Sequence, residues 1–422
     1  MKFVLATWGS RGDIEPSAAV GRELVRRGHD VAMAVPPDLV DFTEAAGVPA
    51  IGFGPESQTI LDAHRDFWTC FFRTPWRIRE LIRARVEIAG PLLAGWQEMS
   101  TTLMTLADGA DLIFTGINFE DAAANVAEHH DIPLATLHYF PLRPNGQVLT
   151  FLPARVGRLA VRAFWWLSWR VTKTVEDTQR RELGLPQATG SAPQRITQRG
   201  SLEVQAYDEA CFPGLAAEWA EHAAQRPFVG TLTLGLSTEA DDEVSSWIAA
   251  GTPPIYFGFG SIPVESPADT IAMIGAACDA LGERALIGAA GTDFSKVPHG
   301  DNIKVVGMLN YPSVFPRCRA LVHHGGSSTT PIAMRAGVPQ LILYWDMVHA
   351  VYGGAVKRLK VGTARRFSTA TEATLVADLW TILDPGYRTR ARELASRITE
   401  PAVSASTTAD LLERAVHTQR VG

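Results

Sequence analysis

Strand-length apolar runs alternate with helix-length amphipathic segments along nearly the whole chain, and that rhythm leaves few folds open. Phe3 to Thr7 is continuously apolar, as a parallel strand covered on both faces must be. The loop Trp8-Gly9-Ser10-Arg11-Gly12-Asp13 follows, and Pro16 suits the first turn of a helix with Val20, Leu24 and Val25 on one stripe. Gly28 closes that helix and Asp30 to Val35 supplies the next strand. A helix near Leu39 to Ala46 and a strand near Pro49 to Phe53 repeat the unit, and Asp111 to Thr115 and Leu134 to His138 read as further strands. Repetition of this kind predicts an α/β fold built on a mostly parallel, doubly wound sheet.

At 422 residues the chain exceeds what one core of ordinary size needs, so two domains are expected. Pro227, Gly230 and Gly235 punctuate a Thr-rich passage before Glu239-Ala240-Asp241-Asp242-Glu243 opens a helix, which puts the boundary between about Arg226 and Ser245. The rhythm then restarts. Strands are expected at Ile255 to Phe259, Ala285 to Ile287, Ile303 to Val306, Ala320 to His323 and Gln340 to Tyr344. Helices are expected near Pro267 to Leu281, Ser328 to Ala336, Ala350 to Leu359, Glu372 to Leu383 and Tyr387 to Ser396. Gln187 to Gly200 is polar and reads as a loop. The division expected is 1–228, 229–400 and a last segment 401–422, a helix after Pro401 that packs back on the first domain. Two such domains would place both sets of strand-end loops around one cleft.

Composition narrows the function. The formal charge is -6 and no reader motif occurs, so a nucleic-acid partner is not expected. Cys70, Cys211, Cys278 and Cys318 lie far apart without C-x-x-C spacing, against a disulfide scaffold or structural zinc and in favour of a reducing, cytoplasmic setting. Met1 to Ala6 reads as a buried strand, not a signal peptide, and no stretch approaches a membrane span.

The strongest local signal is Ala320-Leu321-Val322-His323-His324-Gly325-Gly326-Ser327-Ser328-Thr329-Thr330. A buried strand ends in two histidines and two glycines, then hydroxyl residues open a helix. Glycines permit close approach of a ligand, a helix start offers unpaired amides, and Ser328 and Thr329 add hydroxyls, which together suit a diphosphate. No Walker pattern is present. The same residues also fit a glycine turn with a serine cap and core histidines. Gly258-Phe259-Gly260-Ser261 follows the first strand of the second domain and is weaker alone, because Gly-Ser is a common strand exit. Neither glycine loop completes the G-x-G-x-x-G of oxidoreductases. Asp13 is open between two roles, a base toward an attacking hydroxyl or a cap and dipole partner of its helix.

The sequence resembles the bacterial glycosyltransferases that decorate glycopeptide and macrolide aglycones, and their sterol glucosyltransferase relatives, in the nucleotide-sugar-dependent family one. Gly9-Ser10-Arg11-Gly12-Asp13-Ile14-Glu15-Pro16, Gly258-Phe259-Gly260-Ser261, His323 to Thr330 and Arg335-Ala336-Gly337-Val338-Pro339-Gln340 carry the resemblance. It implies a GT-B fold, two facing Rossmann-like domains around an interdomain cleft, and an inverting transfer with no tightly bound cofactor or metal. Asp13 falls on the catalytic aspartate. The donor-binding set implied is Ser10, Arg11, Gly12, Ser261, Met308, His324, Gly325, Gly326, Ser327, Ser328, Thr329 and His349. The donor is a TDP- or UDP-sugar.

Departures from the pattern are informative. Met308 stands where plant relatives stack the base on tryptophan, and Ile332 where they hold the ribose with a carboxylate. Val348 and His349 stand at the Asp-Gln pair that contacts sugar hydroxyls, with Asp346 just ahead. Val348 cannot pair with a hydroxyl, and some rhamnosyl-transferring relatives share the histidine, so a 6-deoxyhexose is a donor candidate beside glucose. Phe67, Trp68, Phe71, Phe72, Trp76, His138, Tyr139 and Phe140 are candidates for an apolar acceptor pocket, as is the cluster from Phe164 to Trp169; aromatics so spaced equally fill a core. The acceptor expected is hydrophobic and hydroxylated: a lipid, peptidolipid, sterol or polyketide. Arg73, Arg77, Arg79, Arg83 and Arg85 fit peripheral contact with an anionic membrane or a solvated helix. Competing functions are a nucleotide-sugar epimerase on the same plan and a non-catalytic nucleotide-sugar-binding protein.

Overall fold

The computed structural model describes residues 1–59, 67, 70, 74, 76–149, 152–260, 264–289, 291–294 and 296–421. Met1–His64, Trp76–Leu234 and Thr399–Gly422 form one compact unit, and Gly235–Ile398 forms the other. The expected apolar runs become strands. In the first unit these are β1 (Lys2–Ala6), β2 (Asp30–Val35), β3 (Ala50–Gly52), β4 (Leu112–Gly116), β5 (Leu134–His138) and β6 (Leu202–Gln205). They pair in parallel in the order β3-β2-β1-β4-β5-β6, with Phe3 opposite both Val31 and Leu112. The order reverses between β1 and β4, so the loop leaving β1, which carries Ser10 and Asp13, emerges where a doubly wound sheet opens for a ligand.

The second unit repeats the plan with β7 (Ile255–Gly258), β8 (Ala285–Gly288), β9 (Ile303–Val306), β10 (Ala320–His323), β11 (Gln340–Tyr344) and β12 (Gly362–Arg366). Their order is β12-β11-β10-β7-β8-β9, again parallel. Successive side chains alternate between the two faces. Ile255, Phe257, Val322 and Leu341 join Ile271, Ile274, Leu375 and Leu379 of the helices Pro267–Leu281 and Glu372–Ile382. Tyr256, Leu286 and Leu321 pack on the opposite face with Val244, Val314 and Ile332. The reversal lies between β10 and β7, where His323 pairs with Gly258, so both glycine loops of this unit leave the sheet side by side.

Several elements differ from expectation. Gln187 to Gly200 is not all loop: Ala192–Gln198 is helical and buries Ala192, Pro193 and Ile196, three apolar contacts being enough for two turns anchored on a larger body. β6 and β12 carry polar residues that hide the strand pattern. In β6, Glu203 is buried against the Arg143 charge and Gln205 against the His138 ring, and β12 is an edge strand. The helix Pro401–Val421 lies in the first unit, where Arg27 donates to Asp410 (2.6 Å), Glu413 (3.1 Å) and the Ser406 carbonyl (3.0 Å).

Two long helices, Ile78–Ala107 and Ala154–Glu182, enlarge the first unit. At the start of the former, two exposed arginines pair with glutamates: Arg77 with Glu80 at 3.0 Å and Arg83 with Glu87 at 3.6 Å. That is the pattern of a solvated helix. Arg73 lies outside the described residues. Among the described residues no helix is long and apolar enough to cross a membrane.

Candidate active site

In the first unit the site grows from the turn after β1. Gly9 has φ +149°, and a Cβ there would lie 2.4 Å from Asp13 Oδ2, so only glycine lets the carboxylate fold back over this turn. Ser10 caps the helix Arg11–Arg26, and Asp13 stands in its first turn. The Ser10 backbone N–H donates to Asp13 Oδ2 at 2.7 Å and the Ser10 hydroxyl donates to the same oxygen at 2.9 Å. The other oxygen, Oδ1, accepts from the hydroxyl of Tyr139, just beyond β5. Burial raises the Asp13 pKa above the usual carboxylate range, and the bonds from Tyr139 and Ser10 partly offset it. Ser10 and Tyr139 thus engage different oxygens of one carboxylate.

Beneath lies a buried charged cluster. His138 Nε2 meets Glu120 Oε1 at 2.6 Å, Arg143 donates to Glu120 at 3.0 and 3.1 Å and to Glu203, and Gln205 Nε2 lies 3.2 Å from His138 Nδ1. Burial would raise Glu120, but Arg143 and His138 outweigh it and hold the pKa at about 2. Burial and the Arg143 charge lower the His138 pKa, opposed by Glu120 and Glu203, and His138 Nε2–H donates to Glu120. This cluster fixes the end of β5 and with it the position of Tyr139.

In the second unit the site is the turn between β10 and the helix Thr329–Arg335. His323 is fully buried, donating from Nε2 to Gln340 Oε1 (2.9 Å) and accepting the Gly325 N–H at Nδ1 (3.2 Å). Burial lowers its pKa to about 4, so it is a neutral strut of the turn. His324 points elsewhere. A Cβ on Gly260 would lie 2.6 Å from its ring, and one on Gly326 would lie 2.4 Å from Nε2, so the two glycine loops hold the imidazole between them. Gly325 has φ +92°, and a Cβ there would meet Ile342 at 2.7 Å. Burial pushes the His324 pKa well below the usual value and the His349 and His323 rings add to it, opposed by the Gly258 backbone. Its ring meets His349 edge-on at 4.8 Å.

Asp346 caps the helix Met347–Arg358, accepting the His349 N–H at 2.8 Å, and the same oxygen lies 3.2 Å from His349 Nδ1. Asp346 and His349 are thus held together at the start of this helix. Trp345, not foreseen, stacks on Phe367 at 3.9 Å, and its buried indole nitrogen has no hydrogen-bond partner among the described residues. Among the described residues no cluster of His, Cys, Asp or Glu is arranged to hold a metal ion.

With this geometry in place, the known proteins that match are decisive. Residues 3–93 match the glycosyltransferase family 28 N-terminal domain, and 277–416 match the erythromycin biosynthesis protein CIII-like C-terminal domain. The Uncharacterized glycosyltransferase Rv1524 of Mycobacterium tuberculosis is 54% identical over 423 residues, spanning 100% of both chains. The chain belongs to the glycosyltransferases. The Vancomycin aglycone glucosyltransferase of Amycolatopsis orientalis is 28% identical over 430 residues, with 94% of each chain covered. The crystal structure of the glycosyltransferase VinC in complex with DTDP matches with a TM-score of 0.63 at 15% identity, covering 99% of this chain and 100% of that one. The fold is therefore the two-domain GT-B type, and the protein is a nucleotide-sugar-dependent transferase rather than an epimerase or a non-catalytic binder.

Of the anticipated site residues, the transferase gathers Ser10, Gly12 and Asp13 on one turn with Tyr139, and His324, Gly325, Gly326, Ser327, Ser328, Thr329 and His349 on or beside another. Arg11 turns its guanidinium over the Phe42 ring at 4.6 Å, with Glu15 at 3.6 Å. Met308 is exposed, whereas Ile332 is packed in the core. Ser261, Trp68, Phe71 and Phe72 lie outside the described residues. Phe67 and Phe140 are half-buried and Trp76 is exposed. Of the acceptor candidates, His138 is entirely buried in the charged cluster and Tyr139 donates to Asp13. The Asp13–Tyr139 pair joins positions far apart in sequence, and no local pattern announces it.

Proposed function

We propose that the enzyme is an inverting transferase of the family one group, moving a hexose or 6-deoxyhexose from a TDP- or UDP-sugar to a hydroxyl of a hydrophobic acceptor. A lipid, peptidolipid, sterol or polyketide fits the acceptor class. The observation that carries this reading is the Asp13 carboxylate, held by Ser10 and Tyr139 with a pKa raised by burial. A stronger carboxylate base suits late removal of an alcohol proton. In the step proposed, the acceptor oxygen forms a bond to the anomeric carbon as its proton passes to Asp13. The bond from that carbon to the diphosphate oxygen breaks, and the leaving group takes the electron pair.

The turn from His324 to Thr329 would receive that diphosphate. Gly325 and Gly326 leave room for backbone approach, and neutral His324, with Ser328 and Thr329, supplies donors aimed at the developing charge. Ser10, Arg11 and Gly12, with Ser261 and Met308, complete the donor set we assign. His349, held beside Asp346, is assigned to the sugar. Similarity to an aglycone glucosyltransferase and to a fold solved with DTDP supports both halves of the reading.

The test is a matrix of UDP- and TDP-sugars against apolar hydroxylated acceptors, read by product mass and anomeric configuration. A hexose or deoxyhexose increment with inverted configuration is expected. A retained configuration would overturn the mechanism, and no product across the matrix would overturn the acceptor class.

A further inference from the structure

The helix Ala154–Glu182 carries a run of exposed apolar side chains. Val156 (48% exposed), Leu159 (62%), Trp166 (55%), Leu167 (57%) and Val171 (73%) recur at helical spacing and share one side. Phe164 stands beside them, also exposed. The opposite side is anchored. Trp165 donates its indole N–H to the Leu142 carbonyl and Trp169 donates to Glu176, both at 2.9 Å, while Gln179 and Arg180 are buried. Half of the anticipated aromatic cluster is therefore packing, and the other half faces out.

Charge says what the outer face meets. From Ala154 to Val175 the helix holds Arg155, Arg158, Arg162, Arg170 and Lys173, and its first carboxylate is Glu176. Arg158 pairs with Glu218 and Lys173 with Asp177, each at 2.8 Å. Arg155, Arg162 and Arg170 have no ion pair among the described residues, and Arg170 lies over the Trp166 ring at 5.9 Å. At the start of the helix Ile78–Ala107, by contrast, Arg77 and Arg83 each pair with a glutamate one turn away. A second copy of this chain is a poor occupant, because a two-fold interface would set these arginines against themselves with no carboxylate between. An apolar stripe with an interfacial tryptophan, bordered by unpaired arginines, matches a surface of anionic lipid.

We propose that the helix Ala154–Glu182 lies on anionic membranes and docks the enzyme there through Leu159, Trp166, Leu167 and Val171. The docking face proposed is this helix. It is independent of which sugar and acceptor the enzyme uses.

The full chain would be sedimented with phosphatidylcholine vesicles and with vesicles rich in phosphatidylglycerol. Binding to the anionic vesicles is expected to be about tenfold tighter and to weaken as salt rises. The double change Leu159→Glu with Leu167→Glu is expected to lower partitioning about tenfold or more, and Arg155→Gln with Arg162→Gln and Arg170→Gln to abolish the preference for anionic lipid. Unchanged melting temperature and unchanged sugar transfer to a water-soluble acceptor separate lost docking from a damaged enzyme. Absence of anionic-vesicle binding by the wild type, or equal binding by the leucine variant, would overturn the proposal. So would a dimer in ultracentrifugation that the leucine variant dissociates.

Discussion

The two candidate sites are built on the same sheet plan yet solve opposite problems. On the turn after β1 every oxygen of the Asp13 carboxylate has a donor from the protein itself, and the charged cluster around Glu120 and Arg143 braces the residue that supplies one of them. On the turn after β10 the protein instead removes side-chain bulk. Glycines flank His324, and buried polar atoms there, His324 Nδ1 and Gln340 Nε2, lack hydrogen-bond partners among the described residues. Buried polar groups are ordinarily paired. One region is pre-organised around a charge it owns; in the other, glycines crowd the His324 imidazole on the turn we assign to the diphosphate.

The sharpest way to break that contrast is Asp13→Asn. The amide keeps the shape and accepts no proton, so kcat is expected to fall by about 10²- to 10⁴-fold in steady-state assays. Next in size is the response of His323 to acid. Its pKa is about 4 when folded and near 6.5 when free, so the unfolded chain binds a proton first as pH falls. Stability is whole above about pH 6.5 and declines toward pH 4, by on the order of 3 kcal/mol in total. Chemical denaturation across that range checks it, and His323→Gln should flatten the decline.

Gly326→Ala would put a methyl against His324 Nε2 and is expected to weaken nucleoside diphosphate binding by about tenfold in titration calorimetry. The smallest effect is that of Tyr139→Phe. Its hydroxyl favours the charged form of Asp13, so losing it raises the Asp13 pKa further. The acid limb of kcat/KM should move up by about one pH unit, with activity above the limb largely retained.

How far the sequence reveals all this differs between the two regions. The β10 turn is contiguous, and its residues His323 to Thr330 can be read directly, because a strand, a glycine pair and a helix start are local patterns. The separate roles of the two histidines are not legible, since they depend on Gln340 and Gly260 arriving from other strands. For Asp13 the position is legible and the environment is not. Tyr139, Glu120, Arg143 and Glu203 come from different elements, and their pairing follows from the sheet order. β6 and β12 evade the hydrophobic pattern because buried ion pairs and an edge position free them from it. The helix Ala154–Glu182 shows the same limit: its tryptophans are visible at once, but which turn inward is decided by Leu142 and Glu176.

The division of labour between the regions is tested most directly by titrating the nucleoside diphosphate into Asp13→Asn. If the chemistry resides on the β1 turn and the phosphates on the β10 turn, this variant binds within about twofold of wild type while failing to turn over. A loss of affinity that tracks the loss of turnover, or turnover near the wild-type rate, would contradict it.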